Sequence, residues 1–224
     1  MADFWQILGE AFRLILTGDR TVYQTTLLSL LVSGTATLLA FLWGVPIAAL
    51  IALKSFRGKL LIKSMFNALV GIPTVALGLI LYMLLSRSGP LGFLGLLYTP
   101  TAIIIGEAVL VTPLIISLAS SAIEAVDPEI ISLAKTLGAS ESQASTAVLR
   151  EAANGLMVAG IMGFNRAISE LGVALMVGGN MVLTTRIAAQ INYDIALSLS
   201  LTIILLLVVF AANILAYIIR RRKA

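Results

Sequence analysis

Residues 127–155 read DPEIISLAKTLGASESQASTAVLREAANG, the one long polar stretch in a chain that is otherwise almost entirely lipid-soluble. Asp127 suits an N-cap, Pro128 the first helical position, and Glu129 the first turn, where the helix dipole favours an anion. Ile130, Leu133, Ala134 and Leu137 recur at helical spacing. Gly138 follows the last of them as a C-terminal stop does. Ser140 opens a second helix with Gln143 three residues on, the capping-box spacing, and Ala144, Ala147, Val148 and Leu149 share one side of it. The stretch therefore predicts a helix–glycine–helix hairpin. Such a hairpin fits a docking element for a soluble partner, and it also fits a solvated helical connection.

Around the hairpin, 59% of the 224 residues are hydrophobic and only 12% charged, which selects a polytopic membrane protein over a soluble globular domain. The chain holds no cysteine and no histidine, so thiol chemistry, disulfides, ordinary zinc sites and a histidine-based triad are excluded. No phosphate-binding loop of the Walker type occurs. The fold class expected is all-α, with five transmembrane helices over residues 22–53, 64–86, 101–121, 156–177 and 195–219 in a single domain covering 1–224. Pro46 is expected to kink the first span. Residues 2–18 are amphipathic and too interrupted to span, so they are expected to form an interfacial helix anchored by Trp5. No basic n-region precedes the first apolar stretch, so no cleavable leader is expected.

Basic residues orient the spans. Lys54, Arg57, Lys59 and Lys63 flank the first connection, Lys135 and Arg150 lie in the hairpin, and Arg220, Arg221, Arg222 and Lys223 end the chain. These ten fall on one side, against four (Arg13, Arg20, Arg87 and Arg186) on the other. The positive-inside rule makes the hairpin and C-terminus cytoplasmic and the N-terminus external.

Glu107, Arg166 and Glu170 are the formal charges inside the expected spans. An ionisable group at that depth is costly unless paired or wet, so each is a functional candidate. Arg166 and Glu170 are four apart on one helix and can face each other. Two readings stay open: a charge-paired lock between helices, or a translocation pathway in which Arg166 lends positive potential to a passing anion.

The run Ala134-Lys135-Thr136-Leu137-Gly138-Ala139-Ser140, placed before the penultimate span, resembles the coupling loop of the permease subunits of type I ABC importers. Departures from that pattern are Ser132, where the family often has glutamate, one alanine (Ala134) in place of a pair, and Val148-Leu149-Arg150-Glu151-Ala152, where a proline usually follows. Leu149-Arg150-Glu151-Ala152, Ala167-Ile168-Ser169-Glu170-Leu171-Gly172 and Met176-Val177-Gly178-Gly179-Asn180 are similar to the permeases of tungstate importers. The resemblance extends over nearly the whole chain. It implies a cytoplasmic coupling helix through which Asp127, Glu129, Ser132, Ala134, Lys135, Leu137, Gly138, Ala139 and Ser140 meet a separate ATPase; Glu129, one turn before Ser132, is a candidate to replace the missing glutamate, and whether it does stays open. It further implies a homodimer of this subunit, two ATPase copies carrying ATP and Mg, an external oxyanion-binding protein, and a prokaryotic cell membrane. No cofactor is expected in this chain, and no nucleic acid. The rival expectations are a permease for molybdate or another oxyanion, an ion-coupled secondary transporter using Glu107, Arg166 and Glu170, and a membrane scaffold.

Overall fold

The computed structural model describes residues 3–221. Ala2 of the amphipathic segment and Arg222 and Lys223 of the basic tail lie outside the described residues. The helices run α1 (Phe4–Leu16), α2 (Arg20–Leu53), α3 (Lys59–Val70), α4 (Thr74–Leu85), a 3-10 turn at Gly92–Leu94, α5 (Pro100–Glu124), α6 (Glu129–Thr136), α7 (Glu141–Glu151), α8 (Ala153–Ile168), α9 (Gly172–Gly178), α10 (Leu183–Gln190) and α11 (Ile195–Arg221). Among the described residues, α2, α5 and α11 are each long and apolar enough to cross a bilayer unaided. With 34 residues, α2 is about 50 Å long at 1.5 Å per residue, well beyond the roughly 30 Å of a hydrocarbon core. Its helix continues through Pro46 to Leu53.

Two of the expected spans are not single helices. Residues 64–86 divide into α3 and α4, which meet at 91°. The break falls at Gly71-Ile72-Pro73, where Pro73 lacks an N–H and disfavours helical backbone at Ile72. Residues 156–177 divide as well: α8 stops at Ile168 and α9 begins at Gly172. α8 is joined to α7 at a 62° bend, and α9 and α10 fold on each other at 83°. Residues 101–121 and 195–219 lie within α5 and α11.

At the centre α2 and α5 pack side by side and run in the same direction. Trp43 donates its indole N–H to Thr112 at 2.8 Å, and deeper along both helices Ser120 donates to the Ala48 carbonyl at 3.4 Å. The contact is close because α2 presents small buried residues at helical spacing: Ser29, Ser33, Ala36, Ala40, Gly44 and Ala48. One apolar core joins Val32, Ile103, Val173 and Val177 near the start of α2 and α5. Another joins Ile51, Ile116, Ile123, Val148 and Leu156 at their far ends. α1 packs on α11 through Leu14, which meets Val22, Leu183 and Leu201, while Phe4, Trp5, Phe12 and Leu16 stay exposed. That exposed apolar side suits a helix lying at a membrane surface.

α9 is held against α4 by an absence of side chain. A Cβ on Gly172 would stand 2.5 Å from Thr74 Oγ1 and 2.9 Å from the Val75 backbone nitrogen. We expect Gly172→Val to destabilise the chain by about 1–3 kcal/mol through overpacking. The check is the thermal unfolding midpoint in detergent. An unchanged midpoint would mean that α4 and α9 do not meet here.

Candidate functional site

The hairpin of α6 and α7 closes as its residues dictate. α6 begins at Glu129, one residue later than the N-cap reading of Asp127 implies, and the Asp127 carboxylate accepts the Glu129 N–H at 2.9 Å. At the other end Gly138 takes φ +84°. The Gly138 N–H bonds the Lys135 carbonyl and the Ala139 N–H the Ala134 carbonyl, each at 3.0 Å. This paired arrangement closes a helix over a left-handed residue. Ser140 then caps α7: its hydroxyl accepts the Gln143 N–H at 3.4 Å, and the Gln143 side chain accepts the Ser140 N–H at 2.8 Å. Lys135 and Glu141 stand 3.6 Å apart across the corner, exposed, and so add little stability.

The two faces of the hairpin differ. Ile130, Ile131, Val148 and Leu149 pack onto the ends of α2 and α5. Leu133 and Leu137, one turn apart on α6, are 62% and 81% exposed. Asp127, Glu129, Ser132, Lys135, Gly138 and Ser140 are exposed beside them, and Ala134 and Ala139 are half-buried. Glu129 and Ser132, three apart, lie on one face of α6. A groove of about 640 Å³ runs between the hairpin and the end of α2, lined by Pro46, Leu53, Lys54, Ile131, Lys135 and Glu141. Lys59 and Lys63 fasten α3 to the same end of the molecule through Glu124, at 3.2 and 2.5 Å.

The second group lies inside the helical bundle. The Arg166 guanidinium meets the Glu170 carboxylate at 2.5 Å. The other oxygen of that carboxylate accepts the Val173 N–H at 3.1 Å, and the Glu170 carbonyl accepts the Thr184 hydroxyl at 2.6 Å. Glu170 thereby satisfies backbone groups that the break between α8 and α9 leaves open. Glu107, 1% exposed, sits beside the Ser33 hydroxyl and within electrostatic reach of Glu170 and Arg166, with its Oε2 unpartnered. The three residues expected to carry charge inside the bundle therefore come together. Ser33 and Thr184 join this region without having been singled out in the sequence. Asn165 precedes Arg166, and its buried amide has no hydrogen-bond partner among the described residues. Ser33 was legible as one of the hydroxyls at Thr25, Ser29, Ser33 and Thr37, four apart in an apolar helix. Thr184 reaches Glu170 only because α10 folds back, which no local pattern announces.

Helices long and apolar enough to cross a bilayer, with an exposed two-helix hairpin at one end of the bundle, define a helical membrane protein. Residues 44–224 match the family described as the binding-protein-dependent transport system inner membrane component, and the chain belongs to that family. The chain is 38% identical to the tungstate uptake system permease protein TupB of Peptoclostridium acidaminophilum, over 95% of this chain and 97% of that one. It is 32% identical to the Campylobacter jejuni protein of the same name, over 95% and 91%. It is 28% identical to the molybdenum transport system permease protein ModB of Escherichia coli K12, over 77% and 79%. In fold it is similar to a chain of the inward-facing MetNI methionine ABC transporter, with a TM-score of 0.70 at 19% identity over 90% of this chain and 94% of that one. An amino acid ABC transporter chain gives 0.69 at 19% identity over 99% of both. The chain is thus an inner-membrane transport subunit and carries no ATPase of its own.

The ion pair makes an ordered prediction. Removing Arg166 leaves the Glu170 carboxylate buried, whereas removing Glu170 leaves an arginine whose side chain is 34% exposed and can turn to water. Arg166→Gln should therefore cost more stability than Glu170→Gln, with both losses below the roughly 3–5 kcal/mol of a fully buried pair because the arginine is partly exposed. The double variant should lose less than the sum. Thermal midpoints of the three variants measure this, and additive losses would contradict the pairing.

Proposed function

We propose that the chain is the membrane-spanning subunit of an ATP-driven oxyanion importer whose anion is tungstate. The observation that carries this reading is the pair of exposed leucines on α6, held outward by a fully capped glycine corner, in a chain that resembles tungstate permeases along nearly its whole length. In this reading the hairpin is cytoplasmic and seats in an ATPase, the N-terminus is external, and two copies of the chain pair with two ATPase copies and one external oxyanion-binding protein. The cell membrane of a prokaryote is the setting. ATP closure of the ATPases moves the hairpins, and the rigid spans carry the movement to the outer side, where the anion is delivered.

Leu133 and Leu137 supply the apolar contact, Glu129 and Ser132 the polar edge, and Asp127, Ala134, Lys135, Gly138, Ala139 and Ser140 the shape of the corner. Glu107, Arg166 and Glu170 act as a lock that fixes the helix break, with Arg166 partly open toward a pathway. Molybdate is the second candidate anion, favoured by the similarity to a molybdenum permease.

The tests are direct. Replacing residues 130–140 by a Gly/Ser linker should abolish co-purification of an ATPase subunit in mild detergent. Leu133→Ser with Leu137→Ser should weaken that association at least about tenfold, since each leucine loses roughly 1.5–3 kcal/mol of burial. Gly138→Val should lower ATP-driven tungstate uptake in proteoliposomes, because a β-branched residue is strained at φ +84°. A chain that moves the anion alone, without any ATPase, would replace this reading with an ion-coupled transporter.

A further inference from the structure

At the end of α2 remote from the hairpin lies a second cavity, of about 240 Å³, lined by Thr21, Gln24, Thr25, Leu28, Asn180, Met181 and Arg186. We propose that it is a receiving site for a tetrahedral oxyanion, with Arg186 as its cation. This rests on the oxyanion-importer reading.

Four observations support it. The Arg186 side chain has no ion pair and no hydrogen bond among the described residues, and its Nε is buried without a partner. A buried guanidinium nitrogen without an acceptor is costly, and an anion supplies the acceptor. The other polar lining residues, Thr21, Gln24, Thr25 and Asn180, are neutral and can donate through a hydroxyl or an amide, while no carboxylate lines the cavity. The nearest acidic neighbour in sequence, Asp19, is engaged: its Oδ1 accepts the Thr21 and Val22 N–H groups at 2.9 and 3.1 Å. Finally, the cavity joins elements that reach the buried charges. Ser29, one turn below Thr25, accepts the Leu183 N–H at 2.7 Å, and Thr184, two residues before Arg186, holds the Glu170 carbonyl. Ser33, beside Glu107, lies one further turn along α2. An anion held between Gln24 on α2 and Arg186 on α10 therefore bears on the segment that the ion pair fixes.

The test uses the chain assembled with its ATPase in nanodiscs, without the binding protein, and radiolabelled tungstate at equilibrium. The wild-type complex should bind tungstate saturably, with excess chloride competing poorly. Arg186→Gln should weaken binding at least about tenfold, and Arg186→Lys should recover part of it by keeping the charge. Gln24→Ala, at the exposed rim, should weaken binding severalfold without loss of the folded complex. No tungstate binding by the wild type, or binding unchanged in Arg186→Gln, overturns the proposal. So does a phospholipid that co-purifies with the wild type and is lost in Arg186→Gln while tungstate does not bind, since a headgroup phosphate then satisfies the arginine. The two readings fail separately. Tungstate bound through Arg186 but never transported sinks the importer and leaves the site, whereas uptake that persists in Arg186→Gln without Arg186-dependent binding sinks the site and leaves the importer.

Discussion

Glu170 answers the constraint under which the rest of the bundle is built: a helix interrupted inside a membrane protein exposes backbone groups that lipid cannot satisfy. One carboxylate meets Arg166 with one oxygen and the Val173 N–H with the other, and the carbonyl of the same residue takes the Thr184 hydroxyl. Three segments are fixed relative to one another: the end of α8, the start of α9 and the returning α10. Glycine at 172 then lets α9 lie on the first turn of α4, and a Cβ at Gly106 would run into Val173. The interruption is thus tied down electrostatically on one side and sterically on the other. Glu107, buried against the same group from α5, gives that helix a stake in the arrangement.

The hairpin solves the opposite problem. Its two short helices, of 8 and 11 residues, are below the length at which helices persist alone in water. Capping at both sides of Gly138 and the anchoring of Ile130, Ile131 and Val148 in the core replace what length would supply. That anchoring leaves Leu133 and Leu137 without a place in the chain's own core. An apolar pair held outward on a fixed corner is suited to a cleft in another subunit.

Local chemistry was the readable part of the sequence. The glycine corner and the Ser140–Gln143 box follow from residues adjacent to them, and the start of α11 at Ile195 matches the expected span, whereas α5 runs three residues past its expected end. The pairing of Arg166 with Glu170 followed from their four-residue spacing, and Glu107 was marked as a third charge inside the spans. What hydropathy could not reveal is where an apolar run changes direction. Residues 64–86 and 156–177 are apolar enough throughout to be taken as continuous, yet each is broken. Pro73 was visible as the cause of the first break. The second falls at Ser169-Glu170-Leu171, where the signal is a tertiary cap and not a turn residue. Arg186 was read only as one of the charges opposite the basic side, because its cavity needs α10 folded against α2.

Trp43 and Thr112 bond at the level where α2 and α5 each carry a proline: Pro113 follows Thr112 directly, and Pro46 lies three residues beyond Trp43. Proline cannot donate to the carbonyl four residues earlier, so each of the two central helices lacks one rung of its ladder at nearly the same height. On the side toward the N-terminus of each helix, the small buried residues of α2 from Ser29 to Ala40 keep the two in close contact. Beyond that level Ser120 bonds the Ala48 carbonyl and Ile51 is buried in the core that takes Ile131 and Val148, so contacts between elements hold α2, α5 and the hairpin together where each helix's own ladder has a gap.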